Sequence, residues 1–246
     1  MSTLQGKRAL VTGASRGIGA AIARRLAAEG ADVAITYQHS AGPAKAIVGE
    51  IEKLGRRGLA IQADSADPDA VKAAVDQAAK TFGGLDILVN NAGIFRGGSL
   101  EAMTLEDIDT TLAVNVRAAV VASQAAAKHM SEGGRIVSIG SNLASRVPDA
   151  GMSLYSMSKA ALIAWTQGLA RDLGSRGITA NVVHPGSTDT DMNPAQGEQA
   201  AAQRARMAIP RYGKAGDVAA LVAFVAGPEA GSINGAGLTI DGGANA

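Results

Sequence analysis

Short apolar runs alternate along this chain with longer stretches whose apolar positions recur every three to four residues. Arg8 to Thr12 reads as a strand and Gly17 to Glu29 as a helix. Asp32 to Tyr37 is a second strand, followed by a helix from about Pro43 to Leu54. Gly58 to Gln62 and Pro68 to Phe82 give the next strand and helix, and Asp86 to Val89 the fourth strand. A single long helix is expected from about Leu105 to Met130, then a strand at Arg135–Ile139 and a helix at Ser153–Leu173. Ile178–Val183 is the sixth strand. Helices near Glu198–Met207 and Gly216–Val225 precede a last strand near Leu238–Ile240. Strands separated by helices imply parallel pairing through right-handed crossovers. The expectation is one α/β domain over residues 1–246: a Rossmann-type doubly wound fold with a parallel seven-stranded sheet and helices on both faces. Gly186 to Gly213 is the least regular stretch and the candidate for a mobile lid.

Composition narrows the field. Hydrophobic residues make up 47% of the 246 and aromatics only 3%, so the core is built from Ala, Val, Ile and Leu. Such branched aliphatic runs suit strands buried on both faces. Net charge is +1, from 23 basic and 22 acidic residues, with no basic tail. Nucleic-acid and membrane-surface binding get no electrostatic support. There is no cysteine, which excludes disulfides and thiolate metal sites. No His/Asp/Glu cluster has metal-ligand spacing. No secretion signal or membrane span is legible, and the expected location is the cytoplasm.

Gly13-Ala14-Ser15-Arg16-Gly17-Ile18-Gly19 joins the first strand to the first helix. Glycines there let the backbone approach a pyrophosphate, whose charge sits at the helix N-terminus. The end of the second strand, Thr36-Tyr37-Gln38-His39-Ser40, lacks the carboxylate that would bind the ribose hydroxyls of NAD. Arg16 could instead meet a 2′-phosphate, so NADP(H) is the expected cofactor.

Tyr155 and Lys159 are four apart on one helix face. A free phenol has a pKa near 10, and lowering it by about three units takes roughly 4 kcal/mol. A neighbouring ammonium and an oxidised nicotinamide have the right sign. Ser141, fourteen residues before Tyr155, follows the fifth strand at the carboxyl end where such sheets place ligands. Its hydroxyl could donate to a carbonyl while the tyrosine gives or takes a proton. His39, His129 and His184 are scattered, and His184, beside Pro185, reads as structural. Met152, Met192 and Met207 fall near the expected pocket rim, where core filling is an equal reading.

As a set these residues resemble a short-chain dehydrogenase/reductase over essentially the whole chain. The matching residues are Thr12 to Gly19, Asn90-Asn91-Ala92-Gly93, Asn115, Ser141, Tyr155, Lys159, Pro185-Gly186 and Ile240 to Gly243. The resemblance implies Tyr155 as general acid/base, Lys159 tuning it and holding the nicotinamide ribose, and Ser141 polarising the carbonyl. It implies a water held by Asn115 in a proton relay reaching Lys159. It places Asp64 at the adenine edge, Tyr37, Asn91, Ala92 and Gly93 along the cofactor, and Thr188 at the carboxamide, with Thr190 able to share that role. It also implies a homotetramer, for which the alanine-rich helices 105–130 and 153–173 are suited. The serine–tyrosine gap is one residue longer than the family's usual spacing, as in relatives similar to fungal naphthol reductases, so Asn142 is the alternative to Ser141.

The expected activity is NADPH-dependent reduction of a ketone. Two substrates compete: a free ketone, or a 3-oxoacyl thioester on an acidic acyl carrier protein. Lys128 to Glu132 has one firm positive charge and one acid, with Arg171 and Arg176 nearby, which leans toward the free ketone. A non-catalytic NADP-binding regulator is the reading from another class, disfavoured because Tyr155 and Lys159 are both present.

Overall fold

The computed structural model describes residues 3–246. Seven strands form one parallel sheet in the order β3-β2-β1-β4-β5-β6-β9. They are β1 (Arg8–Val11), β2 (Asp32–Tyr37), β3 (Gly58–Gln62), β4 (Ile87–Asn90), β5 (Arg135–Ile139), β6 (Thr179–Pro185) and β9 (Gly237–Ile240). The order reverses between β1 and β4, so their carboxyl ends open the crevice where such sheets bind ligands. Residues of β1, β4, β5 and β6 are almost all buried, as expected of strands covered on both faces.

One face is covered by α1 (Gly17–Ala28), α2 (Ala41–Lys53) and α8 (Ala215–Ala226), the other by α3 (Pro68–Phe82), α4 (Leu105–Leu112), α5 (Ala118–Ala127) and α6 (Ser153–Leu173). Two apolar clusters result. One centres on Ile22, Leu26, Ile35 and Val222, the other on Val75, Leu85, Leu88 and Ile136. Asp67 caps α3 through its side chain, which accepts from Asp69 and Ala70 N–H.

Three expectations need correction. The helix expected from Pro43 begins at Ala41. The single helix expected over 105–130 is two, α4 and α5, separated by a π turn at Ala113–Arg117 in which Ala118 N–H reaches back to Ala113 O. The sequence hides this because an inserted residue leaves the alanine-rich character intact. The polar stretch after Gly186 is also more ordered than its composition suggests. Thr188–Asp189 (β7) pairs in parallel with Gly213–Lys214 (β8), and α7 (Ala200–Ala205) lies between them. Gln203 Oε1 there accepts from Ser187 Oγ (2.5 Å), Asn193 Nδ2 (2.9 Å) and Tyr212 OH (3.0 Å). Among the described residues, no helix is long and apolar enough to cross a membrane, and no group of His, Asp or Glu could hold a metal ion.

Candidate active site

The loop between β1 and α1 is fixed by its neighbours. Thr12 Oγ1 accepts from both Asn91 N and Ala92 N at 3.0 Å. Asn91 Nδ2 donates to Thr12 O (2.8 Å) and Gly13 O (3.1 Å), and Gly13 N donates to Thr36 Oγ1 at 2.9 Å. The backbones approach so closely that a Cβ on Gly13, whose φ is +62°, would lie 2.9 Å from Ala92 Cα. A Cβ on Gly19 would lie 2.4 Å from Asn91 Nδ2. No side chain caps α1, so its first N–H groups remain available to an anion. Ser15 is half-buried in this loop, and Ile18 packs on the core beneath it.

At the rim, Arg16 is exposed, with only a loose contact to Asp191 at 3.8 Å. Tyr37 ends β2, half-buried against the core. Asp64 follows β3, and its carboxylate accepts from Ala66 N at 2.8 Å. Residues after β6 close the other side. Pro185 and Thr188 are buried, and Thr188 Oγ1 donates to Gly186 O at 3.0 Å. Thr190 turns its methyl toward Gly17, so the segment crosses the phosphate loop.

The catalytic candidates converge at the carboxyl ends of β4 and β5. Lys159 is buried on α6 and donates from Nζ to Ile139 O at 2.9 Å. Its Nζ stands 5.9 Å from the centre of the Tyr155 ring. Burial brings the ammonium down to about 8. Burial pushes the Tyr155 phenol above its ordinary value, while a hydrogen bond from the Ser141 side chain pulls it back. Ser141 Oγ also accepts from Leu143 N (3.1 Å), opening a 3₁₀ turn at Asn142–Ala144. Asn142 turns away: its carbonyl accepts from Asn245 Nδ2 at 2.7 Å, and its own amide reaches Asn245 Oδ1 at 3.4 Å. Ser141, and not Asn142, is therefore the polar side chain beside the phenol.

Asn115 sits in the π turn, buried. Its Oδ1 accepts from Ile94 N (2.9 Å), and its Nδ2 donates to Ile94 O (3.0 Å) and Ser158 Oγ (3.0 Å). The side chain thereby pins the loop following β4 against α6. Gly93 lies between: a Cβ there would be 3.2 Å from Lys159 Nζ and 3.4 Å from Asn115 Oδ1. Beside the phenol, the Phe95 ring lies 5.1 Å from that of Tyr155 at 59°. Phe95, Gly97, Gly98, Ser99, Ala150, Gly151 and Met152 line an open cleft of about 370 Å³. Of the three methionines expected near the rim, Met152 lines this cleft, Met192 is exposed and Met207 is buried in packing.

Comparison with known proteins identifies the family. A family model described as enoyl-(acyl carrier protein) reductase matches residues 13–245. The chain belongs to the short-chain dehydrogenase/reductase family. A crystal structure of a short-chain dehydrogenase from Burkholderia cenocepacia J2315 in complex with NADP superposes with a TM-score of 0.99 and 77% identity, over 99% of this chain and 100% of that one. The cyclic-di-GMP-binding biofilm dispersal mediator protein of Escherichia coli (strain K12) is 48% identical over 98% of both chains. The short chain dehydrogenase/reductase AacuN of Aspergillus aculeatus is 41% identical over 98% of this chain and 96% of its own length.

Several residues that build this short-chain dehydrogenase/reductase site carried no sequence signal. Thr36 and Ser158 anchor Gly13 and Asn115 across 23 and 43 residues. Asn245 grips Asn142 from 103 residues away. Phe95 could have been suspected, since it closely follows the Asn90–Gly93 motif and aromatics are scarce in this chain.

Proposed function

We propose that the chain binds NADP(H) and reduces a ketone to a secondary alcohol, with Tyr155 as the proton donor. The observation that carries this reading is the convergence of Ser141, Tyr155 and Lys159 next to a glycine-rich loop shaped for a dinucleotide. Gly13, Ser15, Gly17, Ile18 and Gly19 would hold the pyrophosphate, and Arg16 the 2′-phosphate. Tyr37 and Asp64 would flank the adenosine, and Asn91, Ala92 and Gly93 the body of the cofactor. Pro185, Gly186, Thr188 and Thr190 would hold the nicotinamide end. Similarity to an NADP complex over the full chain supports the assignment.

When bound, NADPH supplies a hydride to the carbonyl carbon. Ser141 Oγ accepts from Leu143 N–H, and its proton, which faces the phenol in this structure, would turn to the substrate oxygen. Tyr155 gives its phenolic proton to that oxygen, completing the alcohol. The Lys159 ammonium offsets the negative charge left on the phenolate. Asn115 has its side chain committed to Ile94 and Ser158. A relay water at this place would have to use a group other than the committed amide of Asn115. Run in reverse, Tyr155 takes the proton and the alcohol is oxidised.

The substrate is best read as a free, uncharged ketone. No charged side chain lines the cleft beside Tyr155, and Phe95 and Met152 give it apolar walls. Docking of an acidic carrier protein would have to rely on the exposed Arg171 and Arg176, the latter hydrogen-bonded to Ala127 O and Met130 O. NADPH consumption across a panel of ketones, with a 3-oxoacyl thioester on its carrier protein as comparator, tests the reading. No turnover with any ketone would overturn it. A 3-oxoacyl-carrier reductase is the outcome if the thioester is much the faster. A cytoplasmic setting follows from an intracellular NADPH supply, and fractionation checks it.

The 48% identity to a cyclic-di-GMP-binding protein favours a second reading, in which nucleotide binding serves regulation. Calorimetric titration with cyclic di-GMP, with and without NADPH, separates the two. Tight binding combined with no turnover would select the regulator.

A further inference from the structure

The buried imidazole of His184 stands directly behind Ser141. Val183 lies opposite Ile139 in the parallel pairing of β5 and β6, and Gly140 N donates to Val183 O at 2.7 Å. The next rung would need an N–H from Pro185, which has none. The backbone ladder therefore stops one residue short of Ser141. His184 takes over there: its Nδ1 lies 3.0 Å from Ser141 O and 3.3 Å from Ser141 N. Ser141 is extended, with φ −162° and ψ 150°, so both its backbone groups face the same ring nitrogen. The ring also fills the space beside Gly140, where a Cβ would lie 2.4 Å from Nδ1. From the helix side, Lys159 Nζ holds Ile139 O. The three residues leading to the Ser141 hydroxyl are thus gripped from both flanks.

We propose that His184 is a positioning residue, which fixes the Ser141 hydroxyl for the substrate carbonyl by gripping the Ser141 backbone through Nδ1 just past the end of the ladder. The shorter contact is to the carbonyl, which selects the tautomer with the proton on Nδ1, donating to Ser141 O. Burial and the charge of Lys159 both keep the ring neutral, against the backbone contact with Ser141. A neutral ring suits the role, since a second positive charge beside Lys159 would disturb the tyrosine that the lysine serves.

The inference rests on the carbonyl-reductase reading above, and its test separates the two. Steady-state kinetics are measured for His184→Leu, His184→Asn, Ser141→Ala and the His184→Leu/Ser141→Ala double variant, with NADPH affinity measured by fluorescence titration. His184→Leu keeps the bulk and removes the partner, and should lower kcat roughly tenfold with NADPH affinity unchanged, the scale of coupling between residues in contact. His184→Asn places an amide near the position of Nδ1 and should restore most of that loss. In the Ser141→Ala background, His184→Leu should cost almost nothing further. A loss that persists undiminished in that background, or wild-type kcat in His184→Leu, overturns the proposal. If His184→Leu does not fold, His184→Gln against His184→Asn decides: an amide at the Nε2 position cannot serve Ser141, so equal activities overturn it. Wild-type turnover in Ser141→Ala would instead sink the reductase reading itself.

Discussion

Lys159 donates to the carbonyl of Ile139 across 20 residues of sequence, so the ammonium beside the phenol is anchored on the end of the strand that leads to Ser141. Three groups on two elements are held as one unit. Precise mutual placement of this kind is what proton delivery to a carbonyl needs.

The lysine leaves a signature in stability. Its folded pKa of about 8 lies below the ordinary 10.5, because burial disfavours the charge. Between those values the unfolded chain binds more protons than the folded one, so stability rises with pH across that window. Denaturant unfolding of the cofactor-free protein between about pH 8 and 9.5 should show this rise, and Lys159→Met should lack it. An identical pH dependence in both proteins would place the ammonium in water. The upper end of the window is kept below the phenol's titration, since the raised pKa of Tyr155 acts in the opposite sense above about 10.

Tyr155→Phe should bind NADPH normally and lose roughly 10²- to 10⁴-fold in kcat, the usual worth of a positioned acid. The ring stays against Phe95, so packing survives. Retention of more than about a tenth of the wild-type rate would mean another proton source.

Ser141→Ala should lower kcat by about 10²-fold or more, as for one oxyanion-type donor. Asn142→Ala should cost much less, since that side chain faces Asn245 and not the phenol. The reverse ranking in steady-state assays would show that the loop rearranges on binding substrate.

NADPH should be preferred to NADH, chiefly through KM, because a contact with the 2′-phosphate is far from the reacting carbon. Arg16 is free to make that contact, with only Asp191 loosely beside it. Arg16→Ala should narrow the preference. Equal kcat/KM for the two cofactors in the unmutated protein would refute the role.

In solution the protein should be a homotetramer of 24.6 kDa chains, an assembly that its alanine-rich helices allow. Light scattering at micromolar concentration checks this, and a monomer would refute it.

Periodicity revealed the long strands, the major helices and the glycine loop because each is a local pattern. β7 and β8 have two residues each, too few to show alternation. The same limit hid the polar knot around Gln203, whose partners Ser187, Asn193 and Tyr212 lie on three turns of chain. Tyr155 and Lys159 stood out because one helix face carries both. His184 read only as structural because its partner is 43 residues away, and nothing in Val-His-Pro-Gly announces that the proline ends a ladder.

The π turn at Ala113–Arg117 has a consequence for chain length. A turn closed from i to i+5 takes up one more residue than an α-helical turn, so α4 and α5 keep their facings across it while the residues inside it leave the α-helical register. Removing one residue there would let a regular helix run through without a break. It would also shift Asn115, which lies inside the turn, and take it off Ile94. Helix content would be undiminished while the wall behind Lys159 came apart, so circular dichroism would report an intact protein with a dismantled site.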